Sequence, residues 1–109
     1  MTHAILIASH PGSTTYQHAE AFCAALAQRA EIRVIYFVGE AVEITQPQHS
    51  GILSRWLNIA RDHEVPLWVC SGSMSALPNC DIPPGIEIAG HASWVEASLS
   101  AAKIVSFPA

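Results

Sequence analysis

Residues 67–72 read Leu-Trp-Val-Cys-Ser-Gly, a short apolar run that stops at a thiol and gives way at once to small polar residues. A thiol on the last position of a strand stands where a nucleophile is useful, provided something favours the thiolate. If Ser71–Leu77 makes even one helical turn, the free N–H groups of Ser71, Gly72 and Ser73 point towards the sulfur of Cys70, and Gly72 lets the backbone come close. The same residues also fit a small buried hydrophobe, a common fate of free cysteine. Taken alone, they leave the two readings open.

The other two cysteines differ. Cys23 lies within a run of apolar residues at helical spacing and reads as core. Cys80, in Leu77-Pro78-Asn79-Cys80-Asp81, falls on an exposed loop and is a candidate second thiol. An odd count of three without a Cys-x-x-Cys pair indicates neither a disulfide framework nor a zinc knuckle.

None of the six histidines forms a His-x-His or His-x-x-x-His pair on an evident helix, so no metal ion and no cofactor is expected. His10 and His49 fall on loops that reach the same end of the strands as Cys70, and His10 is a candidate support for a thiolate there. Ser9–Ser13 is too short for a phosphate-binding loop and lacks its lysine, no Gly-x-Ser-x-Gly elbow is present, and the first two strands are not followed by a phosphoacceptor's acidic cluster.

The elements that must position these groups alternate along the chain. Ala4–Ala8 reads as a strand buried on both faces and closed by the Ser9-His10-Pro11-Gly12 turn. From Thr14 a helix follows, with Thr14-x-x-Gln17 as capping box and Ala19, Phe22, Cys23, Leu26 and Ala30 on its inner face. Residues 32–38 form a second strand, and a polar loop leads from Gly39 past Pro47 and His49. Ser50 then caps a helix with Ile52, Leu53, Trp56, Leu57 and Ala60 inward. Pro66 separates it from the strand 67–70. About twenty residues without strong periodicity follow, Cys70–Gly90, longer than ordinary connections. They hold at most a short strand at 86–88. Ser93-x-x-Glu96 caps a last helix carrying Val95, Leu99 and Ala102, and residues 103–107 close the chain as a strand.

This alternation implies a single-domain, flavodoxin-like three-layer α/β/α sandwich over residues 1–109, with a mainly parallel sheet of four or five strands. Ligands of such sheets meet the carboxyl ends of the strands, where Ser9–Ser13, Gly39–His49 and Cys70–Gly90 gather. Half of the residues are apolar and only 13% are charged, so oligomerisation is expected to cover apolar surface. The net charge of −4 and five scattered basic residues argue against nucleic acid as a partner. No apolar run approaches a membrane span and the start lacks a basic n-region, which points to the cytoplasm.

The joint order of these segments resembles the DsrE/TusD family of sulfur-relay proteins. The resemblance rests on Ala19–Leu26, Val34–Val42, Trp56, Val65-Pro66-Leu67-Trp68-Val69-Cys70, Gly90-x-x-x-Trp94-Val95-Glu96-Ala97-Ser98-Leu99 and Ile104–Phe107. It implies that Cys70 accepts sulfane sulfur as a persulfide and passes it to a partner thiol, as a sulfurtransferase subunit in tRNA thiolation or dissimilatory sulfur metabolism. It further implies homo- or hetero-oligomers with DsrE/DsrF/DsrH-like (TusB/TusC/TusD-like) subunits, and TusA-like or DsrC/TusE-like carrier proteins. Two alternatives stand beside it: a non-catalytic DsrE-like assembly subunit with an inert cysteine, and a small-ligand-binding domain using the loops at 9–13 and 70–90. The family's alanine-rich helix after the cysteine, with its basic pair, is replaced here by Ser71–Cys80. Ser71, Gly72 and Ser73 must therefore support a thiolate without a neighbouring positive charge.

Overall fold

A computed structural model describes residues 2–109. The expected three-layer α/β/α architecture is present, built on five parallel strands in the order β4-β3-β2-β1-β5. In chain order these are β1 (Thr2–Ile7), β2 (Glu31–Phe37), β3 (Leu67–Cys70), β4 (Ile86–Ala89) and β5 (Lys103–Phe107). The chain steps outward from β1 to β4 and then returns to lay β5 on the other flank of β1. The order is a variant of the flavodoxin arrangement, which runs 2-1-3-4-5. Helices α1 (Thr14–Ala27) and α2 (Ser50–His63) pack together on one face. Helix α4 (His91–Leu99) crosses β1 and β2 on the other, and α3 (Ser71–Met74) is a single turn directly after β3.

The central strands are apolar on both sides because both sides are covered. Ile5, Ile7, Ile35, Phe37, Leu67 and Val69 face α1 and α2. There Trp56 is fully buried, with its ring edge-on to Phe37 at 5.3 Å and to Tyr16 at 5.9 Å. On the opposite face Tyr36 stacks on Trp94 of α4 at 5.5 Å and meets Trp68 edge-on at 6.4 Å. A register irregularity between His3 and Ala4 leaves Arg33 as an extra, exposed residue of β2 between the buried Ile32 and Val34.

The element ends differ from expectation for local reasons. Ser13, not Thr14, caps α1, its hydroxyl accepting from the Tyr16 N–H at 3.1 Å, and Phe22 is partly exposed instead of core. Ser50 begins α2 as a helical residue with no side-chain cap before it. The connection expected to be a polar loop is two 3₁₀ segments, Gly39–Thr45 and Pro47–His49. Ala41, Val42 and Ile44 bury themselves from the first segment, which explains its order. Helix α4 begins at His91 and rests on Trp94, while Val95 and Leu99, expected to face inward, are exposed.

Candidate functional site

Strand alternation sets the direction of Cys70. Leu67 and Val69 point to the α1/α2 side, so Trp68 and Cys70 point to the α4 side, where Tyr36 lies one strand over. The chain then enters α3 without a spacer, with Cys70 extended (φ −68°, ψ 124°) as the residue before the turn. This bend brings the N–H groups of Gly72 and Ser73 and the Ser73 hydroxyl to the sulfur, and Tyr36 contributes its phenol from the other side. The expected helical turn after Cys70 therefore exists, and of the four candidate supports named from the sequence, Ser71, Gly72, Ser73 and His10, it is Gly72 and Ser73 that lie beside the sulfur. Ser71 is exposed and donates no bond to it.

Further contacts hold these donors. Ser73 Oγ accepts from the Gly39 N–H at 2.9 Å, which leaves its own proton free for the sulfur. The Tyr36 hydroxyl donates to the Ala89 carbonyl at 3.1 Å, and Ala89 is the partner of Cys70 across β3 and β4. A Cβ added to Gly72 would lie 3.9 Å from the sulfur, so the glycine keeps that side of the thiol open.

Two opposing effects act on the Cys70 thiol. Burial, the largest single influence, pushes its pKa up, since the residue is only 4% exposed. The hydrogen bonds from Ser73, Tyr36 and Gly72 together outweigh it, and the thiol ends below its ordinary value. Cys23, fully buried on α1 with no such donors, shows what burial does alone: it is pushed up to about 12. Burial likewise raises Tyr36, and its bond to Cys70 raises it further, which keeps the phenol protonated and able to donate.

Cys80 is exposed, with its thiol turned back towards the carbonyls of Met74 and Leu77 at 3.4 and 3.5 Å. His10 is drawn to other company: its Nε2 lies 3.5 Å from Glu43 Oε1, and its ring meets that of His49 at 5.7 Å. A depression of about 360 Å³ runs between the first 3₁₀ segment and α3, with Glu43 on one wall and Ser73 on the other. Sequence reasoning missed Tyr36 and Glu43. Tyr36 reaches Cys70 through the β2–β3 register, which no local pattern encodes, and Glu43 sits in a segment read as a loop.

Comparison with known proteins gives consistent results. The DsrE/DsrF-like family profile matches residues 1–107. A relative from Serratia proteamaculans (strain 568) named Sulfurtransferase TusD is 27% identical over 114 residues, covering 87% of this chain and 86% of its own. The crystal structure of the ychN protein from E. coli superposes with a TM-score of 0.78 at 20% identity, covering 98% of this chain and 99% of its own. A protein of unknown function from Methanobacterium thermoautotrophicum gives 0.70 at 15% identity, covering 96% and 99%. At those identities the two structures speak for the fold.

Proposed function

Since the chain belongs to the DsrE/DsrF-like family, we propose that it is a sulfur-relay subunit in which Cys70 carries sulfane sulfur as a persulfide. The observation that carries this reading is a thiol at the carboxyl end of the sheet, on the residue that leads directly into a helical turn, with Gly72 beside the sulfur; Ser73, Tyr36 and Gly72 favour its charged form without a neighbouring positive charge. In the first step the Cys70 thiolate attacks the outer sulfur of a donor persulfide, R–S–SH. The donor's S–S bond breaks, R–S⁻ leaves, and Cys70–S–SH remains. In the second step an acceptor thiolate attacks that outer sulfur, leaves with it as R′–S–SH, and restores the Cys70 thiolate. One S–S bond replaces another at each step, so neither transfer needs an external oxidant or reductant.

The name of the Serratia relative supports a sulfurtransferase role. Carrier proteins of the TusA and DsrC/TusE kinds are the proposed donors and acceptors, and subunits of the DsrE/DsrF/DsrH kind, or further copies of this chain, are the proposed assembly partners. A cytoplasmic location goes with that role; among the described residues no helix is long and apolar enough to cross a membrane. The low exposure of Cys70 favours a second reading, an assembly subunit whose cysteine is inert.

Intact-mass spectrometry after incubation with a small persulfide donor separates the two. The wild-type chain and Cys80→Ser are expected to gain one sulfur atom, and Cys70→Ser to gain none. Uptake that survives Cys70→Ser overturns the assignment, and uptake lost only in Cys80→Ser moves the chemistry to the loop. No uptake by any of the three establishes the inert subunit.

A further inference from the structure

The turn after β1 and the two 3₁₀ segments after β2 bring His10, Glu43 and His49 to the carboxyl edge of the sheet. One donor atom from each lies within 4.8 Å of the other two. All three side chains are half-buried, and none belongs to the donor ring around Cys70. Two imidazoles and one carboxylate are the donor set of a borderline divalent ion such as Zn²⁺, Co²⁺ or Ni²⁺. A tetrahedral ion with bonds of about 2.0–2.1 Å needs its ligand atoms about 3.3 Å apart. His10 Nε2 and Glu43 Oε1 already stand at 3.5 Å, and a His49 ring nitrogen lies within 4.8 Å of the other two ligand atoms.

We propose that His10 Nε2, the Glu43 carboxylate and the His49 imidazole form a site for a divalent transition-metal ion, with a fourth coordination position open to solvent. The site is independent of the sulfur chemistry. It shares an edge with it only through Glu43, which lines the depression reaching Ser73.

The local hydrogen bonds set what must change before an ion binds. The Gly12 N–H donates to His10 Nδ1 at 3.0 Å, which assigns the proton of the neutral ring to Nε2, the nitrogen facing Glu43. A histidine bound through Nε2 has the opposite tautomer and donates its Nδ1–H to an acceptor. The means of exchange is the turn itself. His10-Pro11-Gly12-Ser13 is closed by the Ser13 N–H donating to the His10 carbonyl at 2.9 Å. The φ of Gly12 is not positive, so the turn is not of type II. Rotating the Pro11–Gly12 peptide plane gives type II, the form for which proline second and glycine third are best suited. That rotation replaces the Gly12 N–H beside Nδ1 with the Pro11 carbonyl. Nε2 then gives its proton to water while Nδ1 takes one up, so the ring stays neutral and presents a lone pair to the ion.

The test uses the full chain carrying Cys70→Ser and Cys80→Ser, which removes both thiols near this edge as competing ligands. Titration of Zn²⁺ against a chromophoric chelator is expected to give one equivalent bound. His10→Ala, Glu43→Gln and His49→Ala, each checked for an unchanged circular dichroism spectrum and Tm, are expected to weaken binding by at least about tenfold. The imidazole ¹⁵N resonances of His10 should show the proton moving to Nδ1 as zinc is added. Absence of binding in the doubly substituted chain overturns the site, as does binding unchanged in Glu43→Gln and His49→Ala, or zinc that leaves the His10 nitrogens unmoved.

Discussion

Cys70 and Cys23 are the same side chain, both nearly closed to solvent, yet the fold treats them oppositely. Burial alone acts on Cys23; at Cys70 it is overruled by hydrogen bonding from Gly72 and Ser73, which α3 supplies by following β3 without a spacer, and from Tyr36 of β2. The midpoint of the iodoacetamide reaction rate against pH is therefore expected below that of a free thiol for Cys70. Ser73→Ala and Tyr36→Phe should each move it upward, since each removes a donor to the charged form. Cys23 governs a different observable. Its folded pKa is raised, so its contribution to stability is whole below the unfolded value of about 9 and is lost as pH rises towards about 12. Urea unfolding should show stability falling by about 1.4 kcal/mol per pH unit across that window. Cys23→Ala should remove that slope just above its onset, below the range where the buried tyrosines add their own. The place of Cys70 at the end of a strand was legible in the sequence, because an apolar run closed by a thiol is a local pattern; the strand pattern by itself left a nucleophile and a buried thiol equally open. The electrostatics of Cys70 were not legible, since Tyr36 comes from another strand.

At the scale of elements, the strands and the two long helices were readable because apolar runs and helical spacing are local consequences of burial. The failures have a common cause. In α4, Val95 and Leu99 have the spacing of an inward stripe, but Trp94 fills the contact with Tyr36 and turns that stripe outward. Helix ends carry testable strain. Glu64 ends α2 in the left-handed region (φ 55°), with the Val65 N–H reaching back to the Ala60 carbonyl at 3.0 Å. A side chain there costs energy that glycine avoids, so Glu64→Gly is expected to raise stability by about 0.5–1 kcal/mol in denaturant titration. The converse holds at Gly85 before β4. Its φ is +94°, and a Cβ would stand 2.8 Å from Leu57 Cδ2. Gly85→Ala should cost about 1–3 kcal/mol by the same measurement.

At the scale of the whole molecule, the greasy composition has a definite location. Val95 and Leu99 lie on the outer side of α4, with Leu99 81% exposed, and Ile104 of β5 is exposed on the same face of the sheet. Val105 and Phe107 point the other way, towards the core, and Phe107 meets Phe22 of α1. If this face joins subunits, as the proposed assembly requires, Leu99→Asp should lower the sedimentation-equilibrium mass while leaving the circular dichroism spectrum unchanged. A wild-type chain that sediments as a monomer would reject self-assembly and leave related subunits as the partners. The strand order has a consequence for synthesis. β5, the last of the five strands to be made, pairs along His3–Ile7 of the first, so β1 keeps one open edge until β5 has left the ribosome. A nascent chain halted before Lys103 holds most of its core but offers that edge to any neighbouring strand. The earliest-made strand of the sheet is therefore shielded by the latest-made one.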